Sequence, residues 1–314
     1  MESTKIPLII LGGRDRAGTQ LPEAGRGKHV LRGYKAIDLR IAGRPLINIL
    51  LDRLRACDRF DPIYVAGPRD IYEPVVTGVR FIDTDGTFGG NIRVSLEAVG
   101  AELPVQPIAF ISCDILPKAE ELERALDDYE RHRPLDFWAL TIRAPVDPHL
   151  LGESAWKPKY DIQPEGEDQA VGVMPGHLAI VEPESLRLRL LYIVFDAIYR
   201  TRNRPLAYRR AAMGRTLVLT LIGNDLRRIL KWRWPTYTWS LASNGLAIVA
   251  RLMAGNLKQR ELETRLHRAV ARERHRKAHP ERRGRFAILD GLSLAKDIDT
   301  EEEAREIARV TAET

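Results

Sequence analysis

The stretch IPLIILGG (residues 6–13) is an almost continuous apolar run that ends in two glycines. Such a run, without polar alternation, is typical of a strand buried on both faces of a parallel sheet. Similar strands are predicted at PIYVAG (62–67), VRFID (79–83), PIAFISCD (107–114) and DFWALTIRA (136–144). Helical periodicity between them predicts helices over residues 45–57, 91–99 and 117–131. This alternation predicts an α/β fold with a Rossmann-like, mixed but mostly parallel sheet.

The pattern changes in the second half of the chain. HLAIV (177–181) is a further predicted strand, after which the periodicity becomes almost wholly helical. FAILD (286–290) is again strand-like, and Thr300-Glu301-Glu302-Glu303 fits a capping box that opens the last helix. We therefore predict one α/β domain interrupted by a helical insertion. The predicted domain comprises residues 1–182 and 284–314, and the insertion residues 183–283.

Charge is distributed unevenly along the 314 residues. Residues 186–285 hold 24 Lys and Arg against 6 Asp and Glu, a local charge of +18, which leaves −12 for the rest because the whole chain carries +6. A basic block beside an acidic remainder predicts a separate surface, such as a lid, a homo-oligomer contact or a face that docks on anionic lipid. KWRWPTYTW (231–239) fits a membrane interface or single-stranded nucleic acid, but an amphipathic helix with its tryptophans facing the core is favoured, and no nucleic-acid partner is expected.

Several classes of protein are excluded by composition. An apolar fraction of 44% excludes wholesale disorder. Cys57 and Cys113 are too few for a disulfide framework, and no Cys or His spacing predicts a zinc site. The apolar run at 6–11 is too short for a signal peptide, and LVLTLI (217–222) is too short to span a membrane. The expected location is therefore cytoplasmic.

Two features of the sequence, a pair of glycines and a lysine, could bind phosphate. Gly12 and Gly13 follow the first predicted strand, where backbone N–H groups of open α/β sheets approach phosphates, although a simple tight turn has the same sequence. Lys35, in YKAIDLRIAGRPLI, could neutralise a triphosphate, although an isolated lysine is usually a solvated surface residue.

Three aspartates could hold a metal ion. Asp114 ends a predicted apolar strand, where an unpaired carboxylate is costly to bury, so a cation partner is expected; the alternative role is a helix cap. Asp297 and Asp299 offer the complementary carboxylate, although one of them could cap the last helix. Carboxylate oxygens together with substrate phosphates are the usual ligands of Mg²⁺.

Together these segments resemble a nucleotidyltransferase with the glycosyltransferase-A-like fold, of the molybdenum-cofactor nucleotidyltransferase-like NTP transferase family. The resemblance covers residues 6–145 firmly and 172–312 loosely. The segments that carry it are LGGRDR (11–16), YKAIDLRIAGRPLINILLDRL (34–54), FGGNIRVSLEAV (88–99), FISCD (110–114) and DIDTEEEAREI (297–307).

The resemblance implies roles for individual residues. Lys35 would contact phosphate, with Arg14 and Arg16 as phosphate clamps. Asp114 and Asp299 would hold Mg²⁺, with Asp297 as the alternative second ligand. The nucleotide would lie against Leu11, Gly12, Gly13, Gly89, Gly90 and Asn91. The sequence departs from the family pattern at Asp15, where a glycine is usual, and at Gly176-His177, where Gly-Asn is usual.

The implied reaction is transfer of an NMP from an NTP to a phosphorylated sugar, polyol or cofactor precursor, with Mg²⁺ and release of pyrophosphate. The acceptor is expected near Arg143, Trp156, Lys157 and Lys159, which follow the central strands. Two alternatives remain open. One is a glycosyltransferase of the same fold, and the other is a non-catalytic nucleotide-fold protein that binds anionic lipid or nucleic acid through the basic block.

Overall fold

The computed structural model describes residues 5–13, 33–103, 106–147, 149–151, 157–201 and 236–312. In this part of the chain ten strands are present, eight of them in one sheet and two in a small hairpin. They are β1 (Ile6–Leu11), β2 (Arg40–Ile41), β3 (Arg44–Pro45), β4 (Phe60–Gly67), β5 (Arg80–Asp83), β6 (Ile108–Ser112), β7 (Leu135–Arg143), β8 (Tyr160–Ile162), β9 (Val171–Val181) and β10 (Arg283–Leu289).

The large sheet has the strand order β10-β7-β9-β6-β1-β4-β5, and β8 pairs with β9. Pairing is parallel between β10 and β7 and throughout the run from β6 to β5. Strand β9 is antiparallel to β6, β7 and β8. The predicted mixed, mostly parallel α/β sheet is therefore confirmed.

Helices cover the sheet and form most of the described part of residues 183–283, called the helical block below. They are α1 (Lys35–Asp38), α2 (Leu46–Ala56), α3 (Arg69–Tyr72), α4 (Phe88–Glu102), α5 (Ala119–His132), α6 (Leu188–Thr201), α7 (Thr236–Met253), α8 (Gln259–Val270), α9 (Glu273–Ala278) and α10 (Glu301–Ala312). Helices α6 to α9 all fall within the predicted insertion, whose status as a separate unit stays a prediction. Within the described residues, no helix combines the length and apolar character needed to cross a bilayer.

Both faces of the sheet are buried, which explains the unbroken apolar run of β1. Leu8 and Ile10 pack on the face covered by α2, α5 and α10, whereas Ile9 packs on the opposite face with Ile92 and Leu96 of α4. Each such side chain, when fully buried, contributes about 1.5–3 kcal/mol. The central strand thus fixes the layers on either side and, at its carboxyl end, the position of the two glycines.

Two helix boundaries differ from the sequence prediction in ways that affect the site. Helix α4 begins at Phe88 instead of residue 91, because Thr87 caps it: the Thr87 hydroxyl accepts from the Gly90 N–H at 3.1 Å. Gly89 to Asn91 therefore lie in its first turn. Helix α5 begins at Ala119, so Asp114 is not its cap.

The predicted capping box at the last helix is formed in a modified version. The Thr300 hydroxyl accepts from the Glu303 N–H at 3.2 Å, as predicted, but the Glu303 carboxylate accepts from the Asp299 N–H at 2.9 Å. Glu303 thereby holds the backbone of Asp299, one residue before the cap. Neither late aspartate caps the helix through its side chain.

The helical block is attached to the sheet through a buried charged residue of β7. Asp136 is fully buried and accepts hydrogen bonds from His267 of α8 (2.6 Å) and from Arg282, which precedes β10 (2.7 Å). His275 of α9 lies 3.2 Å from the same carboxylate. One carboxylate thus joins three segments of the helical block to the sheet.

Candidate functional site

The carboxyl ends of β1 and β6 open into a cavity of about 450 Å³. Ligands of open α/β sheets bind at this edge. Strand β9, helices α1, α4 and α6 and the segment before α10 supply the other walls. Gly13 lines it, and the polar side chains among the lining residues belong to Lys35, Asn91, Ser112, Asp114, Lys157, His177, Tyr192, Tyr199 and Asp297.

The two glycines after β1 have different surroundings. The Gly12 carbonyl accepts from the Tyr72 hydroxyl at 2.9 Å, and a Cβ at Gly12 would lie 2.7 Å from the Tyr72 ring. A side chain at Gly12 would therefore displace Tyr72. Among the described residues, a Cβ at Gly13 would have only the Asn91 amide nitrogen within 4 Å, at 3.9 Å. Gly13, together with Leu11, lines the cavity, whereas Gly12 packs behind it.

The Asn91 amide is oriented by two donors. Its Oδ1 accepts from the Gly86 N–H at 2.7 Å and from the Thr84 hydroxyl at 2.9 Å. With the oxygen engaged, the amide nitrogen is the atom that approaches Gly13 and the cavity. Asn91 therefore offers hydrogen-bond donors to a ligand, consistent with the predicted contact to the nucleotide.

Gly89 and Gly90, predicted as ligand contacts, have their N–H groups engaged within the protein. The Gly89 N–H donates to Asp196 of α6 at 2.7 Å, and the Gly90 N–H donates to Thr87. A Cβ at Gly89 would collide with the Tyr192 carbonyl oxygen of α6. Gly89 thus permits close packing of α6 on α4. A role of either glycine in nucleotide binding stays a prediction.

This packing predicts opposite effects of the same substitution at two glycines of α4. Gly89→Ala is expected to destabilise the protein by about 1–3 kcal/mol, since α6 must move. Gly100→Ala is the matched control, because no non-neighbouring atom of the part of the chain that the structure describes lies within 4 Å of its added Cβ, and it is expected to stabilise by up to about 1 kcal/mol. Urea unfolding measures both, and equal stabilisation by the two substitutions would contradict the proposed packing.

Asp114 meets the late aspartates at the floor of the cavity. Its carbonyl accepts from the Ile298 N–H at 2.7 Å, so the backbone between Asp297 and Asp299 lies beside it. The Ser112 hydroxyl donates to one Asp114 carboxylate oxygen. The structure therefore brings together acidic residues more than 180 positions apart in the chain.

Each late aspartate has its own cationic partner. Asp297 is 2.8 Å from the Lys157 ammonium and 2.6 Å from His177 Nε2, and Asp299 is 2.5 Å from the Lys35 ammonium. Ligand atoms of Asp114, His177 and Asp297 all lie within 4.8 Å of one another. Asp297, the alternative second metal ligand of the prediction, thus joins this group, whereas Asp299 pairs with Lys35.

The charged groups of the site shift one another's pKa values. Burial lowers the pKa of Lys35, but Asp299 and Asp114 outweigh it and raise that pKa overall. Burial would raise the pKa of Asp297, but His177 and Lys157 hold it well below its usual range. Burial raises the pKa of Asp299, with repulsion from Asp297 adding to the effect and Lys35 opposing it. Lys35 therefore stays charged, and the three carboxylates of Asp114, Asp297 and Asp299 lie around the two lysines of the cavity.

The donor set fits a divalent cation. Asp114 and Asp297 supply the hard carboxylate oxygens that Mg²⁺ prefers, and a cation would offset the excess of carboxylates over ammonium groups. His177 Nε2, which lies 2.6 Å from the Lys157 ammonium, would offer a nitrogen ligand once that lysine moves, and such a ligand also suits first-row transition metals such as Mn²⁺. His177 was not predicted as a site residue. Its sequence signal was its place in Gly176-His177, at the family's Gly-Asn position.

The residues expected near the acceptor separate into different environments. Lys157 is buried and lines the cavity, and it also donates to the Ala295 carbonyl at 2.5 Å. Arg143 pairs with Glu167 instead, and Lys159 is exposed. Arg14, Arg16 and Trp156 lie outside the described residues.

Comparison with known proteins identifies the fold. No protein-family model matches the sequence, and no curated protein matches it. A hypothetical transferase from Thermus thermophilus superposes with a TM-score of 0.54 at 18% identity, covering 96% of this chain and 100% of its own. A CMP:2-keto-3-deoxy-manno-octonic acid synthetase complexed with CTP gives 0.48 at 11% identity, covering 99% of both chains. The chain therefore shares the overall fold of the Thermus thermophilus protein over nearly its whole length.

Proposed function

We propose that the protein is a nucleotidyltransferase that transfers an NMP from an NTP to a phosphorylated small molecule, with Mg²⁺ and release of pyrophosphate. The observation that carries the proposal is the meeting of Asp114, Asp297 and His177 in one cavity with Gly13, Asn91 and Lys35. The fold shared with a hypothetical transferase supports a transferase reaction.

In the proposed reaction, an oxygen of the acceptor phosphate forms a bond to the α-phosphorus of the NTP. The bond from the α-phosphorus to the bridging oxygen breaks, and pyrophosphate leaves with the electron pair. A phosphate monoester is an anion near neutral pH, so no side chain has to remove a proton. The protein accelerates such a reaction by positioning the reactants and neutralising their charge.

The cavity residues divide this work between them. Gly13 and Asn91 bind the nucleotide, and Lys35, held in place by Asp299, neutralises its phosphates. Lys157, fixed by Asp297 and the Ala295 carbonyl, faces the acceptor phosphate. Magnesium, held by Asp114 and Asp297 with His177 nearby, would supply further charge neutralisation at the phosphate oxygens.

The Lys35 assignment predicts a loss of activity on charge removal. Lys35→Met is expected to lower pyrophosphate release by roughly 10²–10³-fold, the usual cost of removing one preorganised charge at a reacting group. Lys258→Met, which removes an exposed lysine that does not line the cavity, is the control and is expected to keep full activity. Equal rates for the two variants would reject the assignment.

The test of the reaction class does not depend on knowing the acceptor. Each of the four NTPs with Mg²⁺ is added to the protein, and a rise in Tm reports binding to the folded state. Pyrophosphate release is then measured with phosphorylated sugars, polyols and cofactor precursors. No Tm shift with any NTP would overturn the proposal. Hydrolysis of sugar nucleotides without pyrophosphate release from NTPs would indicate the glycosyltransferase alternative.

The proposal also covers the cellular location of the protein and its contacts with other molecules. Use of an NTP agrees with the cytoplasmic location expected from the sequence. The basic helices between α6 and β10 are proposed to serve as a homo-oligomer contact or a peripheral contact with anionic membrane. Sedimentation with and without anionic vesicles, at low and high salt, tests both contacts.

A further inference from the structure

The cavity extends from the charged cluster along one face of the sheet. Ser112 lies opposite His177 at the polar end, because Ile111 pairs with Leu178 and Phe110 with Ala179. Side chains alternate along a strand, so His177, Ala179 and Val181 share one face, over about 13 Å. Ala179, Val181 and Phe110 line the cavity beyond the cluster. The floor therefore changes from charged to apolar within one strand.

Helix α6 forms the roof over this apolar part. Its cavity-lining residues recur at helical spacing and are Leu188, Leu191, Tyr192, Phe195 and Tyr199. Helix α4 supplies a side wall through Phe88, Ile92 and Leu96, which also recur every fourth residue. Phe88 stacks on Tyr199 with ring centroids 5.2 Å apart, which closes the wall at that end.

The apolar part contains space that the described residues do not fill. Ala179 and Val181 belong to a strand with neighbours on both sides, yet they are only partly buried, as are Leu188 and Phe195 above them. An apolar cavity of about 150 Å³ already binds benzene. The cavity here is 450 Å³, within the range of small-molecule sites, which are mostly apolar with a few placed polar groups.

We propose that the acceptor is amphiphilic: a phosphate monoester whose apolar substituent lies under α6 while its phosphate faces Lys157 and His177. This inference rests on the proposed function and specifies the class of its acceptor. The nucleoside does not fit the apolar part equally well, because a base buries hydrogen-bonding edges that need partners. Its partners, Gly13 and Asn91, lie at the carboxyl end of β1 and the first turn of α4.

The test is the chain-length dependence of binding, measured without NTP. Ethyl, butyl and octyl phosphate are titrated below their micelle concentrations, and the protein's Tm or calorimetric heat reports binding. Affinity is expected to rise by about fourfold for each added methylene that becomes buried. Affinity that does not change from ethyl to octyl phosphate would overturn the proposal.

Variants of cavity residues test whether the alkyl chain of the ligand lies in this cavity. Ala179→Leu fills it and is expected to abolish the gain from butyl to octyl phosphate, whereas Ala254→Leu, the same change at an exposed residue of the helical block, keeps that gain. Phe195→Ala enlarges the cavity and is expected to extend the gain to decyl phosphate. If the dependence of affinity on alkyl length were the same in both cavity variants as in wild type, the alkyl chain would bind elsewhere and the proposal would be overturned.

The two proposals fail separately. If affinity rises with alkyl length but no NTP yields pyrophosphate, the apolar site is kept and the nucleotidyltransferase function is rejected. Pyrophosphate release that is equally efficient with ethyl and octyl phosphate keeps the reaction and rejects the amphiphilic acceptor.

Discussion

Replacement of Asp114 by asparagine is expected to lower pyrophosphate release by roughly 10³-fold, with a change in stability of less than about 1 kcal/mol. Asparagine keeps the shape of the side chain and can still accept from the Ser112 hydroxyl. It removes the negative charge that the proposed Mg²⁺ requires. Catalysis therefore falls, while the contacts that hold the loop after β6 remain, including the Ile298 N–H to the Asp114 carbonyl.

A matched control separates loss of the site from a general loss of charge. Asp161 lies exposed on β8 and does not line the cavity, so Asp161→Asn removes the same charge at a distance from the site. It is expected to keep both activity and stability. If Asp114→Asn retained full activity beside this control, the metal assignment of Asp114 would be wrong.

Removal of the Asp136 carboxylate is expected to cost about 3–5 kcal/mol of unfolding free energy, the typical cost of breaking a buried charge pair. Asp136→Ala leaves Arg282 and His267 without this buried partner and removes the polar contacts that connect α8 and α9 to β7. Asp290→Ala is the control, because Asp290 is exposed and its contact with Arg143 is 3.7 Å long. It is expected to change stability by less than about 0.5 kcal/mol.

The Asp136 contribution depends on pH in a defined direction. Burial would raise the pKa of Asp136, but hydrogen bonds from His267 and Arg282 outweigh it and lower that pKa in the folded state. A lowered folded-state pKa adds stability above the unfolded-state pKa, and this stability is lost as the pH falls through the folded-state value. Urea unfolding should therefore show the full difference between wild type and Asp136→Ala at pH 7 and a smaller one below about pH 4. A constant difference would contradict the ion-pair account.

The layers of the fold were predictable because burial leaves a local sequence pattern. The apolar run at Ile6–Leu11 identified the central strand with its correct ends. Strand β9 was predicted only from residue 177, although it begins at Val171. Gly172, Pro175 and Gly176 interrupt its β pattern, and its first residues are held as strand by pairing with β7 and β8.

The site was predictable only in part, because it is assembled from distant segments. The sequence offered both Asp297 and Asp299 as the complementary carboxylate without deciding which of them would meet Asp114. His177 had no neighbouring ligand in the sequence, since its partners are contributed by other elements. The resemblance implied that Gly89 contacts the nucleotide, which stays a prediction, and the structure adds a packing role that the sequence did not indicate, because its missing side chain lets α6 approach α4.

Metal binding tests the central claim most directly. Mn²⁺, a paramagnetic substitute for Mg²⁺, is titrated into wild type, Asp114→Asn, Asp297→Asn and the Asp161→Asn control, with free ion followed by electron paramagnetic resonance. We expect one site in wild type and in the control, and at least about tenfold weaker binding in the other two variants. Equal Mn²⁺ affinity in all four proteins would contradict a metal site formed by Asp114 and Asp297.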